Sequence, residues 1–181
     1  MGTPATDQIV KELQRCLQRI AKDYAGSHSD EVWTKAIKVG LTDLGKKQEF
    51  AVCASGVNDK AHWGEFVYDL CWLQYMDYYP TRAGYEPRDY LLRVPLAMES
   101  EWGNKGLISD DFEKILMARA DLRVMIFQDG KHSVDDITTH LRTYIRRFRP
   151  RRVADRCLFC GYINARNKFQ FALVDGKGAV V

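Results

Sequence analysis

Apolar positions recur along the chain first with a helical period and then with a strand period. Ile9, Leu13, Cys16, Leu17 and Ile20 fall at i, i+4, i+7, i+8 and i+11. That spacing lies on one helix face and predicts a helix over about 6–25, capped by Thr6 and ended before Gly26. A second helix is predicted from Ser29 or Asp30, with the stripe Val32, Trp33, Ala36, Ile37, Gly40, Leu41 and Leu44. Gly45 followed by Lys46 and Lys47 supplies its stop. The period then changes. Phe50–Ala54 reads as a short apolar strand, and a polar loop follows through Asn58, Asp59 and Gly64. Residues 65–75 are apolar on both faces, which predicts a strand central in its sheet. Asp69 interrupts it, on the face of Glu65, Val67 and Cys71. A loop rich in Tyr, Pro, Arg and Gly spans 77–89.

The strand predicted over 90–102 has two chemically different faces. Leu92, Val94, Leu96, Met98 and Trp102 are placed on one face, and Pro95, Ala97, Glu99 and Glu101 on the other. Two carboxylates thus project the same way, about 6.5–7 Å apart. Carboxylates beside a core are costly without a partner. A divalent cation is one such partner; the alternative is a strand end that has reached solvent. A helix over about 110–120 comes next, with Ser109 or Asp110 as cap and Phe112, Ile115 and Leu116 facing inward. A strand over 122–127 then makes a right-handed parallel crossover the expected connection. Ser133-x-x-Asp136 has the form of a capping box. It opens a helix carrying Ile137, Leu141, Tyr144, Ile145 and Phe148, stopped by Pro150. Strands near 157–163 and 168–174 are expected to close the chain as an antiparallel pair. The expected class is α/β, a mixed sheet flanked by helices in the order α-α-β-β-β-α-β-α-β-β, as one domain over 1–181.

Composition is that of an ordinary globular chain, with 46% hydrophobic and 28% charged residues in 181. No apolar run approaches the ~20 residues that span a bilayer, and Met1–Thr6 lacks the regions of a signal peptide. The expectation is a soluble, cytoplasmic protein with no membrane partner. Five cysteines, an odd number, suit a reducing compartment. Cys157-x-x-Cys160 has no second Cys or His pair to complete a zinc site, so strand packing is the expected role.

Charge is unevenly placed. Residues 142–152 hold Arg142, Arg146, Arg147, Arg149, Arg151 and Arg152 and no acid. Taking those six from the net +3 leaves the rest of the chain at −3. Arg142, Arg146 and Arg149 (i, i+4, i+7) are expected opposite the buried stripe of their helix. Planar, multi-donor guanidinium groups suit a phosphate backbone, so DNA is the expected partner of this stretch. The alternative is a solvated helix face. Tyr78, Tyr79, Arg82 and Tyr85 could stack on bases or pack within the fold.

An Asp within one strand, a Glu-x-Glu closing the next 30 residues later, and then a helix and parallel strand resemble the PD-(D/E)XK nuclease superfamily, with its restriction-endonuclease-like fold. The resemblance covers about residues 29–148. It implies that Asp69 and Glu99 hold Mg²⁺ (or Mn²⁺). That family carries a Lys two residues after the second carboxylate; this chain has Glu101 there. Some restriction endonucleases have Glu at this point, where it could bind a second metal or take a proton from water. Other members bring a Lys from the following helix, and Lys114 is placed for that in sequence, although a helical wheel sets it opposite the apolar stripe. Lys105, Glu12 and Glu31 are weaker candidates. The implied activity is metal-dependent hydrolysis of DNA. Two rivals stand beside it. One is a catalytically inactive module of the same fold that binds nucleic acid or protein; the other is a small partner protein whose arginines meet an acidic surface. A homodimer is compatible with each.

Overall fold

The ten segments implied by the periodicity form in the expected order around one six-stranded sheet. The structure, a computed structural model, describes residues 6–26, 29–57, 64, 67–76, 90–149 and 154–181. The elements are α1 (Thr6–Asp23), α2 (Asp30–Lys47), β1 (Ala51–Ala54), β2 (Leu70–Met76), β3 (Tyr90–Glu101), α3 (Lys105–Leu116), β4 (Ala120–Gln128), α4 (Val134–Arg147), β5 (Arg156–Ile163) and β6 (Lys168–Asp175). The strands lie side by side in sequence order. β1, β2 and β3 form an antiparallel meander. The α3 and α4 crossovers make β3, β4 and β5 parallel, and β6 returns antiparallel to β5.

Alternation along the strands divides the core in two. Leu70, Trp72, Leu96, Met98, Leu122, Val124, Ile126, Leu158 and Cys160 pack under α1 and α2. Ala97, Met125, Phe127, Cys157 and Phe159 face α3 and α4. Trp72 pins the first layer: it is fully buried, stacks on Phe50, and donates from Nε1 to the Leu41 carbonyl at 3.1 Å. Burying such a ring contributes about 2–3 kcal/mol by area alone. A Cβ at Gly45 would lie 2.6 Å from that indole nitrogen, so the helix approaches Trp72 closely only because this position is Gly.

Local signals hold at several element ends. Ser29 caps α2 by accepting from the Val32 N–H, and the Ser133/Asp136 capping box is present at α4. Others need correction. α3 begins at Lys105, capped by Asn104 through the Gly106 and Leu107 N–H groups, rather than near 110. β4 runs Ala120–Gln128, longer than expected. Val32, placed on the α2 stripe, is exposed. Most important, β2 begins at Leu70, so Asp69 precedes the strand instead of interrupting it. Glu65 lies outside the described residues, as do Pro150, Arg151 and Arg152. All five cysteines are free and buried. Cys157 and Cys160 fall in opposite core layers, so they share no ligand site and pack as the alternation requires. No described helix is long and apolar enough to cross a membrane.

Candidate active site

The candidate site forms where β2 and β3 end unevenly. β2 starts at Leu70, opposite Met98, whereas β3 continues to Glu101. The strand pairing therefore stops two residues short of Ser100. Asp69 takes over at that point: its Oδ2 accepts from the Ser100 backbone N–H at 2.9 Å and from the Ser100 hydroxyl at 2.8 Å. Its Oδ1 is 3.0 Å from Lys38 Nζ. Lys38 comes from the middle of α2, is 6% exposed, and also donates to Ser55 Oγ at 3.2 Å. Among the described residues, Asp69 is thus a strand-end carboxylate held by three donors, one of them a buried ammonium.

Glu99 is built differently. Alternation turns it toward the α3 face, where it is 3% exposed. Among the described residues, no hydrogen-bond donor reaches its Oε1. Lys114 Nζ lies 3.3 Å from that oxygen, in ion-pair range but not aligned as a hydrogen bond, and 3.0 Å from Asp111 Oδ1. α3 follows β3 after three residues and packs back on the sheet through Ile108, Phe112 and Ile115, which sets its Asp111 and Lys114 turn over Glu99. Burial pushes the Glu99 carboxyl up to about 7, the charge of Asp69 pushes the same way, and Lys114 opposes both. Burial works against the Lys114 charge too, but the hydrogen bond to Asp111 and the charge of Glu99 leave its pKa raised.

Glu101 stands two residues beyond Glu99 on the same face and is partly exposed. Its Oε1 accepts from the Gly103 N–H at 2.6 Å, closing the turn into α3. Asp69 and Glu99 therefore lie at the same end of the sheet but are held from different sides, Asp69 by Lys38 of α2 and by Ser100, Glu99 by Lys114 of α3, with Glu101 at the turn into α3. The weaker candidates do not join them. Glu12 accepts from Gln48 and Gln8, Glu31 is exposed in the first turn of α2, and Lys105 opens α3.

The arginines are elsewhere. α4 runs back against β4 and β5: a Cβ on Gly161 would collide with Val134 at its start, while Ile145 and Phe148 line a small cavity with Arg123, Asp155 and Cys157 at its end. Gly161 pairs with Phe127, and Phe127 with Glu101, so the carboxylates lie near the beginning of α4 and the arginines near its end. Arg142 and Arg146 do not both face solvent freely; both donate to the Gly178 carbonyl, at 2.8 and 3.5 Å. Arg147 lines a separate groove with Glu113, His140 and Tyr144, and Arg149 donates to the carbonyls of Arg146 and Phe148. Arg151, Arg152 and the tyrosines of 77–89 lie outside the described residues.

Three site residues carry no clear signal in the sequence: Lys38, Ser100 and Asp111. As for a metal, no three Asp, Glu, His or Cys side chains converge among the described residues. Mg²⁺ does not require three: one or two carboxylates, waters and substrate oxygens suffice. An oxygen-only donor set with a buried carboxylate oxygen lacking a hydrogen-bond donor fits such an ion. No family model matches this chain, and neither the curated proteins nor the solved structures include a significant match.

Proposed function

We propose that the protein is a metal-dependent nuclease of the PD-(D/E)XK type, hydrolysing DNA phosphodiester bonds with Mg²⁺ or Mn²⁺. The observation that carries this reading is Glu99, a buried carboxylate with a raised pKa, sharing the sheet end of Asp69 and ion-paired with Lys114 at 3.3 Å. The chain order supports a restriction-endonuclease-like core: a helix, a three-stranded antiparallel meander, and an α3 crossover into parallel β4.

Asp69 and Glu99 would hold the ion, which when bound acidifies its water and stabilises charge on the scissile phosphate. Lys114 takes the place left by Glu101: Asp111 steadies its ammonium over Glu99, and from there it orients water and faces developing negative charge. Glu101, partly exposed beside the same turn, is the second acidic group available to accept a proton. DNA contacts would extend from this end along α4 to Arg146, Arg147 and Arg149. A helix of 14 residues spans about 21 Å, so a duplex lying along it would be contacted over about six base pairs at 3.4 Å each.

The test is Mg²⁺- or Mn²⁺-dependent cleavage of linear, nicked, branched and single-stranded DNA. Wild type should cleave at least one substrate, and Glu99→Gln should not. Cleavage surviving both Glu99→Ala and Lys114→Ala would overturn the assignment. The second reading, a catalytically inactive module of the same fold, is favoured by one observation: Asp69 is fully engaged by Lys38 and Ser100 without a metal. Well-folded wild type that binds metal and DNA but cleaves nothing would establish it.

A further inference from the structure

We infer that Lys38 is a positioning residue that serves Asp69 as a resident counter-cation and competes with a divalent metal for that carboxylate. The inference rests on the reading of Asp69 and Glu99 as a metal site. It starts from burial. Lys38 is 6% exposed, and its ammonium lies 3.0 Å from Asp69 Oδ1 and 3.2 Å from Ser55 Oγ. A lysine so placed is not a surface charge that drifted inward, because a buried ammonium is tolerated only when paired and hydrogen-bonded. The other Asp69 oxygen already accepts two bonds from Ser100. The lone pairs left on Oδ1 are therefore shared between Lys38 and any incoming ion.

An ion on Oδ1 and the ammonium would be like charges within a few ångströms of each other, away from bulk water, where screening is weak. Metal binding must then proceed against Lys38 or displace it from Asp69 toward Ser55. Without metal, the same ammonium stops Asp69 from being an unpaired charge beside the core. Lys38 in this role stabilises the metal-free fold and weakens the metal. Lys114 differs from it, because its side chain is 46% exposed and can swing away from Glu99 into solvent.

The experiment is titration of the full-length chain with Mn²⁺ alone, without DNA, for wild type, Lys38→Met and Lys38→Arg, by calorimetry and by thermal unfolding. Lys38→Met should bind Mn²⁺ at least about tenfold more tightly than wild type, the scale of removing one nearby like charge. It should also melt lower than wild type in chelator and recover in Mn²⁺. Lys38→Arg, which keeps the charge, should behave as wild type. Lys38→Gln removes the charge but keeps a donor for Asp69, and gives the same comparison where the Met variant does not fold. Mn²⁺ affinity that is unchanged or weaker in the folded, charge-removed variants would overturn the inference while leaving the nuclease reading intact. No Mn²⁺ binding by any of these proteins would overturn both.

Discussion

The pH dependence of stability in the metal-free protein tests the environment of Glu99 directly. Its carboxyl is raised from 4.5 to about 7, first by burial and then by the charge of Asp69. That rise corresponds to about 3 kcal/mol at about 1.4 kcal/mol per pH unit, an upper figure. The side chain is 4% exposed, so solvent screening does not reduce it greatly. The sign follows from proton counting. Between pH 4.5 and 7 the folded chain keeps a proton on Glu99 that the unfolded chain has released. Stability from this group is therefore highest below pH 4.5 and falls as pH rises through 7. Glu99→Gln resembles the protonated side chain and cannot titrate. In urea unfolding with chelator, wild type and Glu99→Gln should be close in stability near pH 5. At pH 8 the variant should be more stable, by up to about 3 kcal/mol. Saturating Mg²⁺ should narrow or reverse that gap, because the ion favours the ionised carboxylate. A stability difference that stays constant from pH 5 to 8 would refute the reasoning, whatever its size.

Other expectations follow from the same geometry. Lys114→Met should lower the cleavage rate by about 10²–10⁴-fold, the range for a positioned acid–base group, with DNA affinity little changed; a loss confined to affinity would assign Lys114 to binding. Arg147→Ala with Arg149→Ala should flatten the slope of log affinity against log salt by up to about 2, near 0.9 for each phosphate these arginines neutralise; an unchanged slope would remove the end of α4 from the DNA surface. Arg142 is a poor probe, because its Nε holds the Gly178 carbonyl at 2.8 Å and its removal would disturb the β6 turn. Gly161→Ala should cost about 1–3 kcal/mol in chemical unfolding, since the added methyl meets both Val134 methyls and Phe127 in a filled core; a neutral result would mean that α4 rides more loosely on β5 than its packing implies.

The elements were legible because each one buries a face, and burial imposes a period on the residues that carry it. Glu99 and Glu101 could be placed on one face by alternation alone, and Ala97, Glu99 and Glu101 do share the α3 side. Asp69 was misplaced because apolar composition marks what is buried, not where pairing begins. The run over 65–75 is continuous in sequence, but β2 pairs with β3 only from Leu70. The helical wheel set Lys114 opposite the apolar stripe, and its side chain is indeed 46% exposed, but four methylenes still carry the ammonium around the flank of the helix to Glu99. The arginine run was legible as charge, but its position was not. Only the packing of α4 against β4 and β5 shows that its arginines lie at the other end of the sheet from Glu99.

Lys38 was hidden for a deeper reason, since its partner is 31 residues away and no local pattern joins them. Its presence changes the electrostatics expected of the site. Two neighbouring carboxylates suggested an acidic cluster in need of a cation. The folded chain instead sets a lysine on each, Lys38 from α2 on Asp69 and Lys114 from α3 on Glu99, although Lys114 is shared with Asp111, so the site keeps an acidic excess that the two lysines only partly offset. The two lysines are not equivalent. Lys114 is half in solvent and can give up Glu99, whose Oε1 lacks a hydrogen-bond donor among the described residues; Lys38 is enclosed and holds Asp69 together with Ser100. Exposure and pairing run opposite ways: the Asp69 side chain is 20% exposed against 4% for Glu99, yet Asp69 is the carboxylate whose lysine is enclosed. An ion held as proposed above would meet Asp69 before Glu99, and the exchange at Lys38 would set how tightly it is finally held.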